Sequence, residues 1–176
     1  MPGRKEEAKK AAKLLSGIDF HLAFTSDLKR AYETFEIIKK ELHLNIPIVK
    51  ESSLKERHYG IYTGKNKWDI QKKVGKKNFK RLRRGWDEQI PEGETLKDVS
   101  GRVVPYYLSN IHPHIANGKN VLIVAHGNSN RVLIKHLEGI VDERVSEIEM
   151  ETGEVIIYQL DSRGSVVKKE KRKESP

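Results

Sequence analysis

The sequence predicts an α/β protein: a three-layer α/β/α fold around a mainly parallel central sheet. Two observations predict it. First, short apolar runs of strand character, FHLAFTS (20–26), IPIVK (46–50), NVLIVA (120–125) and EVIIYQLD (154–161), alternate with longer stretches of helical period. Second, two of these runs end abruptly where a helical pattern begins, at Thr25-Ser26 and at His126-Gly127. Parallel sheets bind their ligands beyond such carboxyl ends.

The elements follow in order. Residues 6–15 form an amphipathic helix with Ala8, Ala11, Ala12 and Leu15 on one side, and Gly17 is its stop. After the first strand, residues 27–43 are helical, with Leu28, Ala31, Tyr32, Phe35 and Ile38 as the apolar stripe and Ser26 or Asp27 as the cap. Residues 52–66 are irregular, punctuated by Gly60 and Gly64. Residues 67–84 read as two short basic helices broken near Gly75, and residues 85–95 as a loop. A long helix spans 96–115, with Pro105 as a kink point. Residues 128–137 are the helix behind HGN. The stretch after Ser165 is an edge strand or a tail. Residues 1–165 are expected to form one domain, and 166–176 (VVKKEKRKESP) a basic C-terminal tail.

Composition narrows the functions. The 176 residues suffice for one domain with a core. No run of 18 apolar residues is present, so no transmembrane helix is expected. The charged start MPGRKEEAKK has no apolar stretch, so a secretory leader is not expected and a cytoplasmic location is. Cysteine is absent, which excludes disulfides, iron–sulfur clusters and thiol catalysis. The net charge of +9, with a dense interior cluster at 72–84, points to an anionic partner, either nucleic acid or a small polyanion.

Four stretches carry candidate chemistry. In VLIVAHGNSNR, Gly127 lets backbone approach a ligand, and the free amides of a helix start favour negative charge. His126 is there as donor, base or cation; its plain alternative is a structural histidine at a capping turn. In TSDLKRA, Arg30 sits in a first helical turn, unfavourable alone but favourable before a phosphate. In KERHYGIYTGKNK, Glu56 lies between two cations that lower a carboxylate pKa, which a phosphate dianion would push back up. Tyr59 and Lys67 add a donor and a point charge. Arg83-Arg84 can fork onto a phosphate or carboxylate, or simply be a solvated helix face.

These stretches occur together as TSDLKRA, ERHYG-IYTG-KNK, RLRRGWD and HGNSNR, with PEGETLKDVSGRVVPYY and METGEVIIYQLD. The set closely resembles the 2,3-bisphosphoglycerate-dependent phosphoglycerate mutases of the histidine phosphatase superfamily, in their compact form, from about Gly3 to Asp161. The resemblance implies interconversion of 3- and 2-phosphoglycerate in glycolysis and gluconeogenesis through a phosphohistidine, with 2,3-bisphosphoglycerate as phosphoryl primer and no metal. By motif, Glu56 resembles the general acid/base, His126 the second histidine that stabilises the transferring phosphoryl, and Arg30 the phosphate clamp. Arg57, His58, Tyr59, Lys67, Arg83, Arg84, Gly127 and Asn128 resemble the substrate-binding set. The implied partners are small phosphoglycerates, not nucleic acid or membrane; self-association is left open.

One part of the family pattern is missing. Its nucleophilic histidine lies in an Arg-His-Gly on a first strand, and residues 1–176 contain no such triplet. The opening residues match the helix that follows that strand. The fold is therefore expected to lack its first strand, and the chain as given to be inactive. Alternatives are a phosphatase of the same superfamily and a non-catalytic bisphosphoglycerate or polyanion binder.

Overall fold

The computed structural model describes residues 2–151 and 153–173. The strands are β1 (Leu22–Thr25), β2 (Ile48–Lys50), β3 (Val121–Val124), β4 (Val155–Leu160) and β5 (Val166–Arg172). The helices are α1 (Pro2–Leu15), α2 (Lys29–Glu41), α3 (Lys67–Val74), α4 (Lys76–Arg84), α5 (Leu96–Tyr106), α6 (His112–Ala116) and α7 (Gly127–Leu137).

β2, β1 and β3 pair side by side, all parallel. All four residues of β1 are buried, because helices cover both faces. On one face Ala23 and Leu122 pack with Ala12 and Leu15 of α1 and Phe35 and Ile38 of α2. On the other, Leu22 and Phe24 pack with Val99 and Val103 of α5 and Val132 and Leu133 of α7. Phe24 and Phe35 are essentially sealed from water, each contributing about 2–3 kcal/mol of apolar transfer. These are the three expected layers.

Local chemistry sets the boundaries. Thr95 and Asp98 form a reciprocal capping box that opens α5. Pro105 has no N–H, and the ladder beyond it slips into a π-turn at Tyr107–Ile111 before α6 resumes the helix. The expected kink is thus a change of helical pitch. α2 starts two residues later than expected. Leu28 holds the cap position without a side-chain bond, and of the backbone amides near this helix start Ser26 Oγ accepts that of Leu28, at 3.3 Å.

Two features correct the sequence reading. The run at 154–161 does not join the parallel sheet: β4 pairs only with β5, antiparallel, through a bulge at Gln159/Leu160. And residues 166–172, bounded off as a tail though their start was also open to an edge strand, are that β5 strand, with Val166, Glu170 and Arg172 half-buried and the residues between them exposed. Residues 174–176 lie outside the described residues.

Between β3 and β4 runs a groove that is part of a cavity of about 1760 Å³. It is lined by every residue of Val121–Val124 and every residue of Val155–Leu160. A cavity over a sheet face would touch alternate residues; consecutive ones mean that it lies in the plane of the sheet, against two strand edges. Among the described residues, neither edge has a partner on that side. The groove leads to the carboxyl end of β3.

Candidate active site

The parallel register puts Thr25 beside Val124, so β1 and β3 end level with each other. The residues just beyond, Ser26 and His126, then meet: Ser26 Oγ lies 2.6 Å from His126 Nε2. His126 is the cap residue of α7, in extended backbone (φ −131°, ψ 166°). Its other nitrogen, Nδ1, accepts from Arg30 Nε at 3.2 Å. A guanidinium only donates, so Nδ1 holds a lone pair and Nε2 carries the hydrogen, donated to Ser26. His126 is 7% exposed. Burial first, then the Arg30 charge, pulls its pKa down to about 4, against a weaker upward pull from Glu56. The ring is neutral at pH 7.

Glu56 approaches the same helix start from the 52–66 loop. Its Oε1 accepts the backbone amides of Arg57 (2.8 Å) and Asn128 (3.2 Å). The first turn of α7, expected to offer its amides to an outside anion, thus gives one of them to Glu56. The loop is held by residues with no forecast role. Ser129 Oγ donates to the carbonyls of Leu54 (3.0 Å) and Lys55 (2.6 Å). Arg102 donates to the carbonyls of Ser53, Lys55 and Glu56 and forks onto both oxygens of Glu94 at 2.7 and 2.9 Å. Burial pushes the Glu94 pKa up, but the Arg102 bonds and the His58 amide outweigh it, and Glu94 titrates below its usual range. Gly60 (φ 49°) closes the loop against the 91–93 turn; a Cβ there would meet Pro91 O at 1.9 Å.

Every forecast residue, namely Arg30, Glu56, Arg57, His58, Tyr59, Lys67, Arg83, Arg84, His126, Gly127 and Asn128, lines one cavity. Their situations differ. Arg57 is 2% exposed and spends its guanidinium on the carbonyls of Glu94, Leu82 and Glu88. It ties loops together; it is not a free cation. His58 bonds Glu92 O and gives its amide to Glu94. Asn128 donates Nδ2 to Tyr59 Oη at 2.9 Å and accepts from Arg131 at 2.8 Å. Arg131 is buried, close enough to Arg84 and Arg83 that their charges add to burial in lowering its pKa. Sequence reading passed over it because it sits mid-helix among apolar residues. Arg83 stacks on Phe79, Lys67 on Trp68, and Arg84 pairs loosely with Glu149 at 3.5 Å. Among the described residues Arg30, Lys67 and Arg83 have no acidic partner. The cavity therefore carries excess positive charge, suited to an anion with several charged groups. Among the described residues no group of three His, Asp or Glu is placed to hold a metal ion.

Residues 3–172 match the sequence pattern of the histidine phosphatase superfamily, branch 1. The chain belongs to the histidine phosphatase superfamily. Within this family it is 46% identical over 155 residues to a phosphoglycerate mutase of Schizosaccharomyces pombe, covering 88% of this chain and 74% of the relative. It is 41% identical over 162 residues to a 2,3-bisphosphoglycerate-dependent phosphoglycerate mutase of Cytophaga hutchinsonii, covering 92% and 76%. Among solved structures, YhfR of Bacillus stearothermophilus superposes with a TM-score of 0.78 at 27% identity, over 93% of this chain and 79% of that one. A mycobacterial glucosyl-3-phosphoglycerate phosphatase superposes at 0.72 with 22% identity, over 96% and 83%, and shares the fold.

Proposed function

We propose that this chain is the greater part of a phosphoglycerate mutase that interconverts 3- and 2-phosphoglycerate with 2,3-bisphosphoglycerate as primer. One observation carries the reading: a neutral histidine, a clamp arginine and a carboxylate, His126, Arg30 and Glu56, converge at one strand end, in a cavity whose other wall carries Arg83, Arg84 and Lys67. The unpaired cations fit a bisphosphate with a carboxylate, and that molecule would supply the phosphoryl group.

The chain's own residues then divide the work. Arg30 turns from Nδ1 to the transferring phosphoryl. His126, relieved of that donor and facing a dianion, takes a proton and becomes a second donor. Glu56, fixed by two amides, exchanges a proton with the glycerate hydroxyl. Arg83, Arg84 and Lys67 hold the far end and so choose which oxygen is presented. Asn128, Tyr59 and Arg131 form one hydrogen-bonded row that keeps the helix start and the loop in register.

The nucleophilic histidine implied by the resemblance is not in residues 1–176. The groove between β3 and β4 supports a place for it. Its two free edges and apolar walls suit one more strand, and its end borders His126. The test compares residues 1–176 with a form extended by a family-like strand ending in Arg-His-Gly. Formation of 2-phosphoglycerate and release of phosphate are followed together. The expected result is no turnover without the strand, isomerisation with it, and loss of most of that activity in Glu56→Gln and His126→Ala. Steady phosphate release without isomerisation from the extended form overturns the mutase reading, and mutase turnover by the unextended chain overturns the residue roles.

A further inference from the structure

The buried serine at the end of β1 is unclaimed by the chemistry above. Ser26 is fully buried, and its Oγ contacts His126 Nε2 at 2.6 Å, the shorter of the two bonds to the ring. Arg30, by contrast, is exposed, and its bond to the ring is the longer one, at 3.2 Å. The two nitrogens of His126 therefore stand in unlike settings. Nε2 lies against a buried strand end, and Nδ1 faces an exposed cation within reach of an anion.

We propose that Ser26 is a positioning residue: by accepting the Nε2 hydrogen it holds the His126 ring so that Nδ1 is the nitrogen presented to a docked phosphoryl group. This rests on the reading of His126 as the anion-facing histidine and adds which nitrogen does the work. The proton balance is simple. In the free protein Nε2–H donates to Ser26 and Nδ1 accepts from Arg30. When an anion takes Arg30, Nδ1 gains one proton from solvent and donates it to a phosphoryl oxygen. Nε2–H and its bond to Ser26 stay unchanged, and Ser26 Oγ, as an acceptor, suits both the neutral and the charged ring. The Leu28 amide, 3.3 Å away, fills a second acceptor site on Oγ and orients the hydroxyl. Without Ser26 the ring loses the shorter of its two hydrogen bonds, and flipped forms that turn Nε2 toward the cavity become accessible.

The experiment reads ring nitrogens rather than turnover, so its failure and that of the mutase reading are distinct. The chain is labelled with ¹⁵N-histidine, and two-bond ¹H–¹⁵N correlations are recorded at pH 7 with and without inorganic phosphate. In the wild type, His126 is expected to show protonated Nε2 and bare Nδ1; phosphate should protonate Nδ1 and leave Nε2 alone. Ser26→Ala should mix the tautomers and weaken phosphate binding roughly tenfold, as for loss of one hydrogen bond to an ionised group. Ser26→Thr, which keeps the hydroxyl, should restore both; it also serves if the alanine variant does not fold. A wild-type ring protonated at Nδ1, or an Nε2 signal that changes on phosphate addition, overturns the proposal. So does a folded Ser26→Ala chain with the wild-type spectrum.

Discussion

Neutral burial of His126 makes stability depend on pH between its unfolded and folded titration points. The ring titrates near 6.5 in the unfolded chain and at about 4 in the folded one. Below pH 6.5 the unfolded chain therefore binds a proton that the folded chain refuses, so the stabilisation is full above pH 6.5 and is lost as pH falls towards 4. Linkage between those two values gives a loss of about 2 kcal/mol at pH 5, growing to about 3 kcal/mol below pH 4. Other groups add to this loss. His136 is also held low, by burial first and then by Lys135 and His112, and Glu94 and Asp98 titrate below their usual ranges. His126→Gln removes one ring and leaves those groups in place. Urea unfolding of both proteins at pH 8, 6.5 and 5 should show wild type losing about 2 kcal/mol more than the variant between pH 8 and pH 5. A constant difference across that range, or a folded-state midpoint near 6.5 for His126 by NMR, would refute the account of its burial.

Three other outcomes follow from the same geometry. Arg57→Ala leaves three carbonyls without a donor and should cost about 3 kcal/mol or more in urea unfolding; Arg57→Lys should recover little, because an ammonium cannot copy the planar fork. A double-mutant cycle on Arg102→Ala and Glu94→Ala should show a coupling of about 1–2 kcal/mol for this half-buried bidentate pair; a coupling near zero would return it to the class of surface ion pairs. Arg83→Ala and Arg84→Ala should each weaken calorimetric binding of 2,3-bisphosphoglycerate by roughly tenfold at low salt, with thermal midpoints little changed, since one is exposed and the other loosely paired.

Much of the fold was legible because its signals are local and periodic. The four-residue core of NVLIVA and the stripe Ala31, Phe35 and Ile38 became β3 and the inner face of α2. What escaped depends on distance along the chain. Nothing within EVIIYQLD says which edge it will pair with, so its detachment from the parallel sheet could not be read. The Lys-rich stretch after Ser165 looks like a tail by charge. Only pairing with β4, far from it in residue type and charge, makes it an edge strand. The same limit applies at the site. Residue type and order brought the forecast residues to one cavity, but not their division of labour. Arg57 and Arg84 look alike in sequence, yet one is buried with its guanidinium spent on three carbonyls and the other is half-exposed and only loosely paired.

The residues that sequence reading missed share one property. Ser129, Arg102, Glu94 and Arg131 bond chiefly to backbone carbonyls or to one another's partners, and each bridges elements far apart in the chain. Such bonds have no spacing rule, since any donor on the right face of a folded helix will serve. Yet they hold the groups to which the proposed chemistry is assigned. Glu56 lies on a loop, and a loop left to itself moves by more than the few tenths of an ångström that proton transfer tolerates. Arg102 of α5 and Ser129 of α7 restrain that loop through its carbonyls, and the helices are in turn fixed by the core behind β1 and β3. Precision at Glu56 and His126 is thus inherited from packing on the parallel sheet. The cations, by contrast, sit on α3, α4 and the start of α2, in exposed positions that can follow an anion as it turns. On the proposed reading, the acid–base groups must stay still while the substrate presents first one oxygen and then another, and the braced loop and the exposed cations divide those two demands between them.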